Sequence, residues 1–414
     1  MSSLPTAAAN EPVPLPASGA RAGASATAPT PRILGRMLAL DDFEPEAARI
    51  LPRPIFGYAS GGSETNASLR GNRTAFDDYA FVPRVLVDVS VRSQRRELFG
   101  QSYDSPFGFA PMGGTSLAGF DGDRVLARVA AASNIPMILS GASLTRLEDV
   151  KKVGRTAWFQ GYIPGEEAAI RALVERVGNA GYDTLVVTAD VPVAANRENN
   201  VRNGYSAPLR PTVALAWQGI THPRWLFGTA IRTLVRHGMP HTENMGSVRV
   251  PLVSRAGVRE RARRDRFDWG HLALIRSIWP GRLVVKGLLA GEDAHRAAEG
   301  GVDGVIVSNH GGRQLDGALA PLRALPGVVA RAGSMTVMMD SGVRRGTDVL
   351  KALALGARFV FVGRPFLFAN AVAGEAGVMH AVTLLREEID RDLALLGSPS
   401  LDGVGLQLLR EQGR

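Results

Sequence analysis

Short runs of apolar residues alternate with segments of helical periodicity from residue 106 onward. Eight of the runs fit buried β-strands, and Gly, Pro or Asp marks most of their boundaries. They cover 106–113, 136–141, 156–163, 184–190, 282–287, 303–308, 335–340 and 358–363. Helical patterns lie between them, for example over 166–180, 291–300 and 346–356. Eight such units predict an α/β fold, a (β/α)8 TIM barrel, because a doubly wound sheet would show fewer strands and a glycine-rich first turn.

The remaining segments complete the predicted organisation. Residues 1–36 are rich in Ala, Ser, Thr, Pro and Gly without an apolar period, which predicts a flexible tail. We expect the barrel domain over 37–395, with an N-terminal helical extension, and a C-terminal tail over 396–414. The segment between the fourth and fifth strands is too long for one helix and two turns, so we expect an insertion over about 206–268.

The net charge of +9 is concentrated in this insertion. Residues 206–268 contain eleven arginines and four acidic residues, a local net charge of +7. The arginines accompany no helix-turn-helix, zinc-finger or RNA-recognition motif, so we expect no nucleic-acid binding. The segment also holds Trp217, Trp225 and Phe227. A basic aromatic segment of this kind either lies in a membrane interface or forms a solvated loop, and the sequence leaves both alternatives open.

Composition excludes several classes of chemistry. The chain has no cysteine, so it has no disulfide scaffold, thiol nucleophile, thiolate zinc site or iron–sulfur cluster. The histidines show no metal-binding spacing, and we expect no metal. No run of about 18 apolar residues is present, so we expect no transmembrane helix.

Polar residues stand at the ends of the predicted strands, where (β/α)8 barrels carry their reactive groups. The most specific run is 308–314, in which His310 precedes Arg313 on a glycine-rich turn. A histidine so placed can take a proton from a hydroxyl while the arginine holds an adjacent carboxylate. Asp190 can pair with His310 and stabilise its charged form. These residues predict a hydroxy-acid site.

A second group of polar residues predicts a phosphorylated cofactor. The turn over 340–346 follows the seventh strand and opens a helix, and Gly363–Arg364 closes the eighth strand. Backbone N–H groups at a helix start, with two arginines, form a phosphate cradle. Lys286 ends the fifth strand, where a buried ammonium requires an anion or an electron-rich ring. A Schiff-base lysine is the alternative role.

Together these motifs resemble the FMN-dependent α-hydroxy-acid dehydrogenase and oxidase family, which includes flavin L-lactate dehydrogenase, glycolate oxidase and mandelate dehydrogenase. The likeness covers about residues 40–395. Besides the motifs at His310 and Asp340, the matching segments are 58–62, 72–76, 83–86, 158–160 and 202–204.

The resemblance implies FMN as the cofactor and the oxidation of an L-2-hydroxy acid to the 2-oxo acid. It implies that His310 is the base and Asp190 its partner. It also implies that Arg313 and Arg197 clamp the carboxylate and that Tyr162 binds substrate. The residues that it implies for FMN binding are Ala110, Pro111, Met112, Gly113, Ser140, Gln160, Thr188, Lys286, Ser308, Asp340, Gly342, Arg344, Gly363 and Arg364.

Two positions depart from the family pattern. Gly57 precedes Tyr58 where the family has two tyrosines, so the tyrosine that helps to hold the carboxylate is expected to be missing. Ala142 stands where glycolate oxidase carries Trp. Both changes predict a larger pocket and a bulkier substrate, either aryl or long-chain. The alternatives are a flavoenzyme of this fold with a non-hydroxy-acid substrate and an unreactive flavin-binding pseudoenzyme.

The resemblance also carries expectations about partners. Gly113 resembles the dehydrogenases, since many oxidases have Ala there, so we expect an external electron acceptor, quinone or cytochrome, with oxygen as the alternative. We expect a homo-oligomer, a tetramer by analogy. The protein is expected to be cytoplasmic, and a lipid-binding insertion would place it on the inner face of the cytoplasmic membrane through residues 206–268.

Overall fold

The computed structural model describes residues 31–206, 212–245, 249–254 and 264–412. Eight parallel strands close into a barrel in chain order, each paired with the next and the eighth with the first. The predicted (β/α)8 barrel is therefore confirmed. The barrel strands are β1 (Phe107–Phe109), β2 (Met137–Ser140), β3 (Ala157–Gly161), β4 (Thr184–Thr188), β5 (Arg282–Leu288), β6 (Gly304–Val307), β7 (Thr336–Asp340) and β8 (Phe359–Val362).

Helices surround the barrel, as predicted from the periodicity, and further helices precede its first strand in the chain. The α-helices are Phe43–Ile50, Arg53–Ser60, Ala67–Thr74, Thr115–Ala118, Gly122–Ala132, Leu147–Val153, Glu167–Asn179, Glu198–Arg202, Val213–Ile220, Pro223–Trp225, Arg232–His237, Trp269–Ile278, Gly291–Glu299, Pro321–Val329, Gly346–Ala354 and Arg364–Leu395. A π-helix covers Leu226–Ile231, and 3-10 helices cover Arg32–Arg36, Leu40–Asp42, Ala75–Asp78, Arg264–Arg266, Leu401–Gly403 and Leu406–Leu408.

The barrel interior is a packed core because alternate side chains of each strand point inward. Its buried members include Ile138, Trp158, Val186, Val284, Ile306, Met338 and Phe361. A β-hairpin, Arg96–Leu98 with Gln101–Tyr103, closes the N-terminal end of the barrel with Leu98 and Tyr103. The opposite end of the barrel, at the C-terminal ends of the strands, opens into a pocket.

The register of the barrel brings polar residues together at that end. Thr188, the last residue of β4, pairs with Lys286 of β5, and Ser140 of β2 pairs with Gln160 of β3. Because the strands are parallel, these side chains meet at one edge with Asp340 at the end of β7.

The predicted flexible tail over 1–36 is wrong at its C-terminal end. Arg32–Arg36 forms a 3-10 helix, and the side chain of Leu34 is only 2% exposed. Ile33 also packs against the main core, so hydrophobic burial fixes this segment. Residues 1–30 lie outside the described residues.

The predicted C-terminal tail over 396–414 is wrong for its described part, which ends at residue 412. Leu409–Glu411 pairs antiparallel with Tyr79–Phe81, and Leu401 and Leu408 are buried in the core. A three-residue strand is too short to show a periodic pattern, which explains why the sequence did not indicate it.

The helix Arg364–Leu395 that follows β8 is, by length and composition alone, long and apolar enough to span a membrane. It is not a continuous apolar rod, because Ala373 and Gly374 have non-helical backbone angles. Half of its most apolar window is buried, with Phe366 and Leu385 fully within the core. In this fold it serves as the eighth barrel helix.

The described part of the insertion packs on the barrel as helices and a short hairpin, His241–Thr242 with Val250–Pro251. Its polar contacts with the barrel include two short hydrogen bonds from side chains of the insertion. Trp225 Nε1 donates to the carbonyl of Leu117 at 2.7 Å, and Asn244 Nδ2 donates to the carbonyl of Thr145 at 2.8 Å.

We expect the C-terminal strand to contribute measurably to stability. Leu409→Ala should lower the free energy of unfolding by about 2 kcal/mol, because it removes a buried side chain and leaves a cavity. Thermal or urea unfolding of the flavin-loaded protein measures this loss. The neighbouring Arg410→Ala, at an exposed position of the same strand, is the control and should change stability little. Equal stability of the two variants would contradict the packing of this strand.

Candidate active site

One pocket lies at the C-terminal ends of the barrel strands. It contains four of the predicted catalytic residues and most of those predicted to bind a cofactor. Predicted residues in its wall are Ala110, Pro111, Met112, Gly113, Gln160, Tyr162, Thr188, Arg197, Lys286, His310, Arg313, Asp340, Gly342, Arg344, Gly363 and Arg364. The wall also contains Tyr58, Ala59, Gly311, Ser341 and Val343, which the sequence prediction did not assign to the site.

Ser140 and Ser308 lie behind the pocket wall rather than in it, and each positions a neighbour. Ser308 Oγ accepts hydrogen bonds from Lys286 Nζ at 2.7 Å and from the backbone N–H of His310 at 3.0 Å. Ser140 Oγ donates to Gln160 Oε1 at 3.1 Å.

Asp190 is also outside the wall but contacts the imidazole of His310. Its Oδ1 lies 3.0 Å from His310 Nδ1. An ionised carboxylate only accepts hydrogen bonds, so Nδ1 carries the proton and the lone pair of neutral His310 is on Nε2. That nitrogen lies 3.5 Å from the hydroxyl of Tyr162 and faces the pocket.

The electrostatics of this pair favour a neutral imidazole beside a carboxylate. Burial lowers the pKa of His310 below its ordinary value, and the carboxylate of Asp190 only partly opposes this shift. Burial would raise the pKa of Asp190, but His310 and Lys286 outweigh it, so the pKa of Asp190 is lowered. At neutral pH the arrangement presents an unprotonated Nε2 to the pocket.

The turn that carries His310 has an unusual backbone. His310 has φ of +60°, a left-handed conformation that is costly for a residue with a side chain, and Gly311 and Gly312 follow with φ of +68° and +73°. Ser341 Oγ accepts a hydrogen bond from the N–H of Gly311 at 3.0 Å. A β-carbon on Gly312 would lie 2.5 Å from the backbone nitrogen of Leu69, so only glycine allows this close approach.

Two arginines form the wall beside His310. Arg313 donates through Nη1 to the carbonyls of Tyr58 at 2.7 Å and Gly61 at 2.9 Å, and its guanidinium lies 4.9 Å from the ring centre of Tyr58. Arg197 donates through Nε to the carbonyl of Arg313 at 3.1 Å. Among the described residues, neither guanidinium forms an ion pair with a carboxylate. A ligand bound in the pocket is therefore expected to carry the anionic group.

Two further arginines extend this cationic wall, and Arg364 shares the carbonyl of Gly61 with Arg313. Arg364 donates to the carbonyls of Ala59, Gly311 and Gly61 at 3.0 Å, and Arg344 lies nearby in the same wall. Burial lowers the pKa of Arg364 well below its ordinary value, and the neighbouring arginines add to that shift. Such a site favours a dianionic group such as a phosphate.

Comparison with known proteins agrees with this geometry. The family model for FMN-dependent dehydrogenases matches residues 47–411. The chain belongs to the FMN-dependent dehydrogenase family. The predicted resemblance, dehydrogenase class and FMN cofactor are thereby confirmed.

Relatives in this family cover nearly the whole chain. The chain is 39% identical over 376 residues to (S)-mandelate dehydrogenase of Pseudomonas putida, covering 90% of this chain and 94% of that protein. It is 37% identical over 376 residues to L-lactate dehydrogenase of Ectopseudomonas mendocina, covering 89% and 97%. A crystal structure of the monotopic membrane protein (S)-mandelate dehydrogenase superposes with a TM-score of 0.85 at 38% identity, covering 91% and 99% of the two chains.

The polar atoms of the pocket fit FMN. Gln160 Nε2 and Thr188 Oγ1 are buried and have no hydrogen-bond partner among the described residues. A buried polar group without a partner costs free energy, so these atoms require a polar ligand. The flavin ring offers carbonyl and ring-nitrogen acceptors to them. The phosphate of FMN suits the guanidinium groups of Arg344 and Arg364.

Lys286 is held as an ammonium rather than as a free amine. Its Nζ lies 2.9 Å from Asp340 Oδ2, with both side chains buried. Burial disfavours the charged form, but the carboxylates of Asp340 and Asp190 outweigh it and raise the pKa of Lys286. A protonated lysine is a poor Schiff-base nucleophile, and it suits the alternative role of stabilising negative charge on a ring.

The expectation that Gly57 enlarges the pocket is wrong, although position 57 carries no tyrosine. Tyr58 lines the pocket, with its hydroxyl 3.3 Å from the position that a β-carbon on Gly113 would occupy. Gly57 does not line it, and a β-carbon there would meet Asn203 at 2.6 Å. Gly57 therefore does not enlarge the pocket, because Asn203 fills the adjacent space. Ala142 does line the pocket, as predicted.

We expect Thr188→Val to weaken FMN binding by about 1 kcal/mol, roughly fivefold in the dissociation constant, because it removes one hydrogen bond to the flavin. Quenching of flavin fluorescence during titration of the apoprotein measures this change. Thr336→Val removes a hydroxyl at the opposite end of β7 and is the control. An unchanged dissociation constant for Thr188→Val would contradict the assignment of the unpartnered hydroxyl to FMN.

Proposed function

We propose that this chain oxidises an L-2-hydroxy acid with an aryl or long apolar side chain to the 2-oxo acid, using FMN. The observation that carries the proposal is the shared pocket in which His310 Nε2 and the guanidinium of Arg313 face the same space. The names of the relatives, (S)-mandelate dehydrogenase and L-lactate dehydrogenase, support the substrate class.

In the proposed reaction, Arg313 and Arg197 hold the substrate carboxylate, because no described carboxylate of the protein pairs with them. This orientation directs the 2-hydroxyl to His310, whose Nε2 takes the hydroxyl proton. Asp190 stabilises the imidazolium that forms, and the hydroxyl of Tyr162 adds a hydrogen bond. FMN, held by the pocket, would supply the acceptor for the hydrogen and two electrons that leave C2.

A second space, the entrance cavity, adjoins this pocket and supports a bulky substrate. The two spaces share Tyr58, Ala142, Tyr162 and Arg197. The entrance cavity is lined mainly by small and apolar side chains, including Leu144, Val191, Pro192, Val201 and Leu252. A substrate whose carboxylate lies at Arg313 can therefore extend an apolar side chain past Ala142. A tryptophan at that position would occupy this path.

The retained site favours catalysis over the pseudoenzyme alternative. His310, Asp190, Arg313 and Arg197 all keep contacts that a base and a carboxylate clamp require. Lys286 is paired with Asp340, which leaves His310 as the base of this pocket. The electron acceptor, quinone or cytochrome with oxygen as the alternative, and the homotetramer stay predictions.

We expect His310→Gln to slow flavin reduction by about 10²- to 10⁴-fold, because glutamine cannot take the hydroxyl proton. Anaerobic stopped-flow mixing with a saturating aryl L-2-hydroxy acid, monitored by loss of the oxidised flavin band, measures the rate. His295→Gln, at a helix position whose side chain is 43% exposed, is the control, and its flavin should be reduced at the wild-type rate.

The pH dependence of the flavin reduction rate distinguishes a catalytic base at position 310 from a residue with a structural role. Because the pKa of His310 is lowered, wild-type flavin reduction should rise with pH below neutrality and be near its plateau at pH 7. The midpoint should lie below about 6.5, the ordinary value for histidine. The residual rate of His310→Gln should lack this rise. A wild-type rate independent of pH in this range would contradict the role of His310.

We further propose that the outer face of the insertion contacts a membrane. Val213, Trp217 and Ile220 are exposed on one face of their helix, and Phe227 and Val235 are exposed on the next segment. Exposed apolar residues clustered with arginines are typical of interfacial segments. The solved (S)-mandelate dehydrogenase described as a monotopic membrane protein supports this proposal.

Replacing this apolar face should release the protein from lipid. The double variant Trp217→Ser and Phe227→Ser removes side chains that are 62% and 65% exposed, so folding should be unaffected. Cosedimentation with anionic vesicles should fall at least about threefold. The control carries Leu395→Ser and Leu406→Ser, at positions 68% and 66% exposed outside the insertion. Equal cosedimentation of the two double variants would contradict membrane contact through this face.

A further inference from the structure

The turn over 340–346, which we call the phosphate turn, is supported from outside the flavin pocket. Arg73 Nη1 donates to the carbonyl of Gly342 in this turn and to Asp348 Oδ2 at 2.6 Å. Arg73 itself does not line the flavin pocket. We propose that Arg73 is a positioning residue, which holds the phosphate turn in the shape that binds the phosphate of FMN. The proposal concerns the cofactor and holds whichever hydroxy acid is the substrate.

The phosphate turn needs support because its backbone is strained. Ser341 and Gly342 are consecutive residues with φ of +80° and +83°, and this left-handed conformation is costly for serine, which has a side chain. Such a residue persists only where its surroundings fix it. The side chain of Asp340 accepts a hydrogen bond from Ser341 Oγ at 2.9 Å, and Arg73 binds the carbonyl of the next residue. Arg73 therefore acts at the strained part of the turn.

The helix Ala67–Thr74, which carries Arg73, packs directly on the phosphate turn. A β-carbon on Gly342 would lie 2.2 Å from the backbone oxygen of Asn72 and 3.1 Å from the ring of Phe76. Phe76 is only 2% exposed, so its ring cannot move aside into solvent. Only glycine allows the turn and the helix to come this close. The position of the helix therefore sets the position of the turn.

This helix is itself anchored, so it can serve as a fixed support. Asp316 Oδ1 accepts from the N–H of Ser68 at 2.9 Å, and its Oδ2 accepts from the N–H of Thr65 at 2.9 Å. A carboxylate at the N-terminal end of a helix stabilises it. The side-chain amides of Asn72 and Asn309 lie 2.8 Å apart, which joins the helix to the turn that carries the predicted base.

Asp348 transmits the support to the phosphate site. Its Oδ2 accepts from the backbone N–H of Arg344 at 2.8 Å and of Arg345 at 3.1 Å, as well as from Arg73. The side chain of Asp348 is only 6% exposed, so these hydrogen bonds are shielded from water. Arg344 lines the flavin pocket, where it suits the phosphate of FMN. Arg73 thus acts through the carboxylate and the turn rather than by contact with the cofactor.

A role of Arg73 through its charge alone is the competing explanation, and Asp348 separates the two. A carboxylate near a phosphate repels it, so charge alone predicts that Asp348→Asn strengthens FMN binding. Positioning predicts the opposite. A neutral amide holds Arg73 and the N–H of Arg344 less strongly than a carboxylate does, so the turn loosens and FMN binding weakens. The two explanations therefore predict effects of opposite sign for one nearly isosteric change.

Competition between FMN and riboflavin isolates the phosphate, because riboflavin has the same ring system without it. The full-length holoenzyme is dialysed to equilibrium against mixtures of the two flavins, and chromatography of the bound flavins gives the ratio of their affinities. Arg73→Met should lower this FMN-to-riboflavin affinity ratio roughly tenfold, because it removes the charged hydrogen bonds that hold the turn. A defect in the ring part of the pocket would change both affinities alike and leave the ratio unchanged.

Arg70→Met is the matched control, since it makes the same substitution on the same helix. Arg70 is exposed and donates to the carbonyl of Thr65 at 2.7 Å, so the ratio should stay at the wild-type value. Asp348→Asn should lower the ratio at least about threefold. Arg73→Lys keeps a cation, and one nitrogen of Arg73 makes both hydrogen bonds, so its ratio should lie closer to the wild type than that of Arg73→Met.

Three outcomes would overturn the proposal. An unchanged ratio in Arg73→Met would remove Arg73 from phosphate binding. A higher ratio in Asp348→Asn would assign the effect of Arg73 to its charge alone. An equal fall of the ratio in Arg70→Met and Arg73→Met would assign the effect to the stability of the helix. Failure of hydroxy acids to reduce the bound flavin would count against the proposed function alone, because the ratio involves no substrate.

Discussion

Burial of positive charge at one end of the barrel is the constraint on which this site depends. Arg313, Arg197 and Arg364 are turned into a pocket where, among the described residues, no carboxylate pairs with them, and burial lowers the pKa of Arg313 and Arg364. Backbone carbonyls fix the directions of Arg313 and Arg364 without neutralising their charge. Bound anions would stabilise such an arrangement, and a flavin phosphate and a substrate carboxylate are the two anions that the family chemistry supplies.

The same cations set the proton chemistry of His310. Lys286 and Arg197 add to the effect of burial in lowering its pKa, and Asp190 opposes them. The result is an imidazole that is neutral before the reaction but has a carboxylate ready to stabilise its charge afterwards. Because the turn at His310 is held in a left-handed conformation by contacts with Ser308 and Ser341, the base does not need to reorient.

Most of the fold and much of the site could be predicted from the sequence, for physical reasons. The barrel strands are continuous buried runs, and residues at their C-terminal ends must converge, so Thr188, Lys286 and Asp340 could be placed together. What failed depended on contacts between distant segments. The C-terminal strand at Leu409–Glu411 exists only through pairing with Tyr79–Phe81. Gly57 does not enlarge the pocket because Asn203, which is distant in sequence, fills the space beside it.

The most direct test of the account is anaerobic reduction of the bound flavin by a panel of small, aryl and long-chain 2-hydroxy acids in both enantiomers. We expect the oxidised flavin band to be lost fastest with aryl or long-chain L-acids, because the path past Ala142 accepts their side chains. Fastest reduction by the small acids would contradict the proposed substrate size. A bound flavin that no hydroxy acid reduces would contradict the proposed reaction itself.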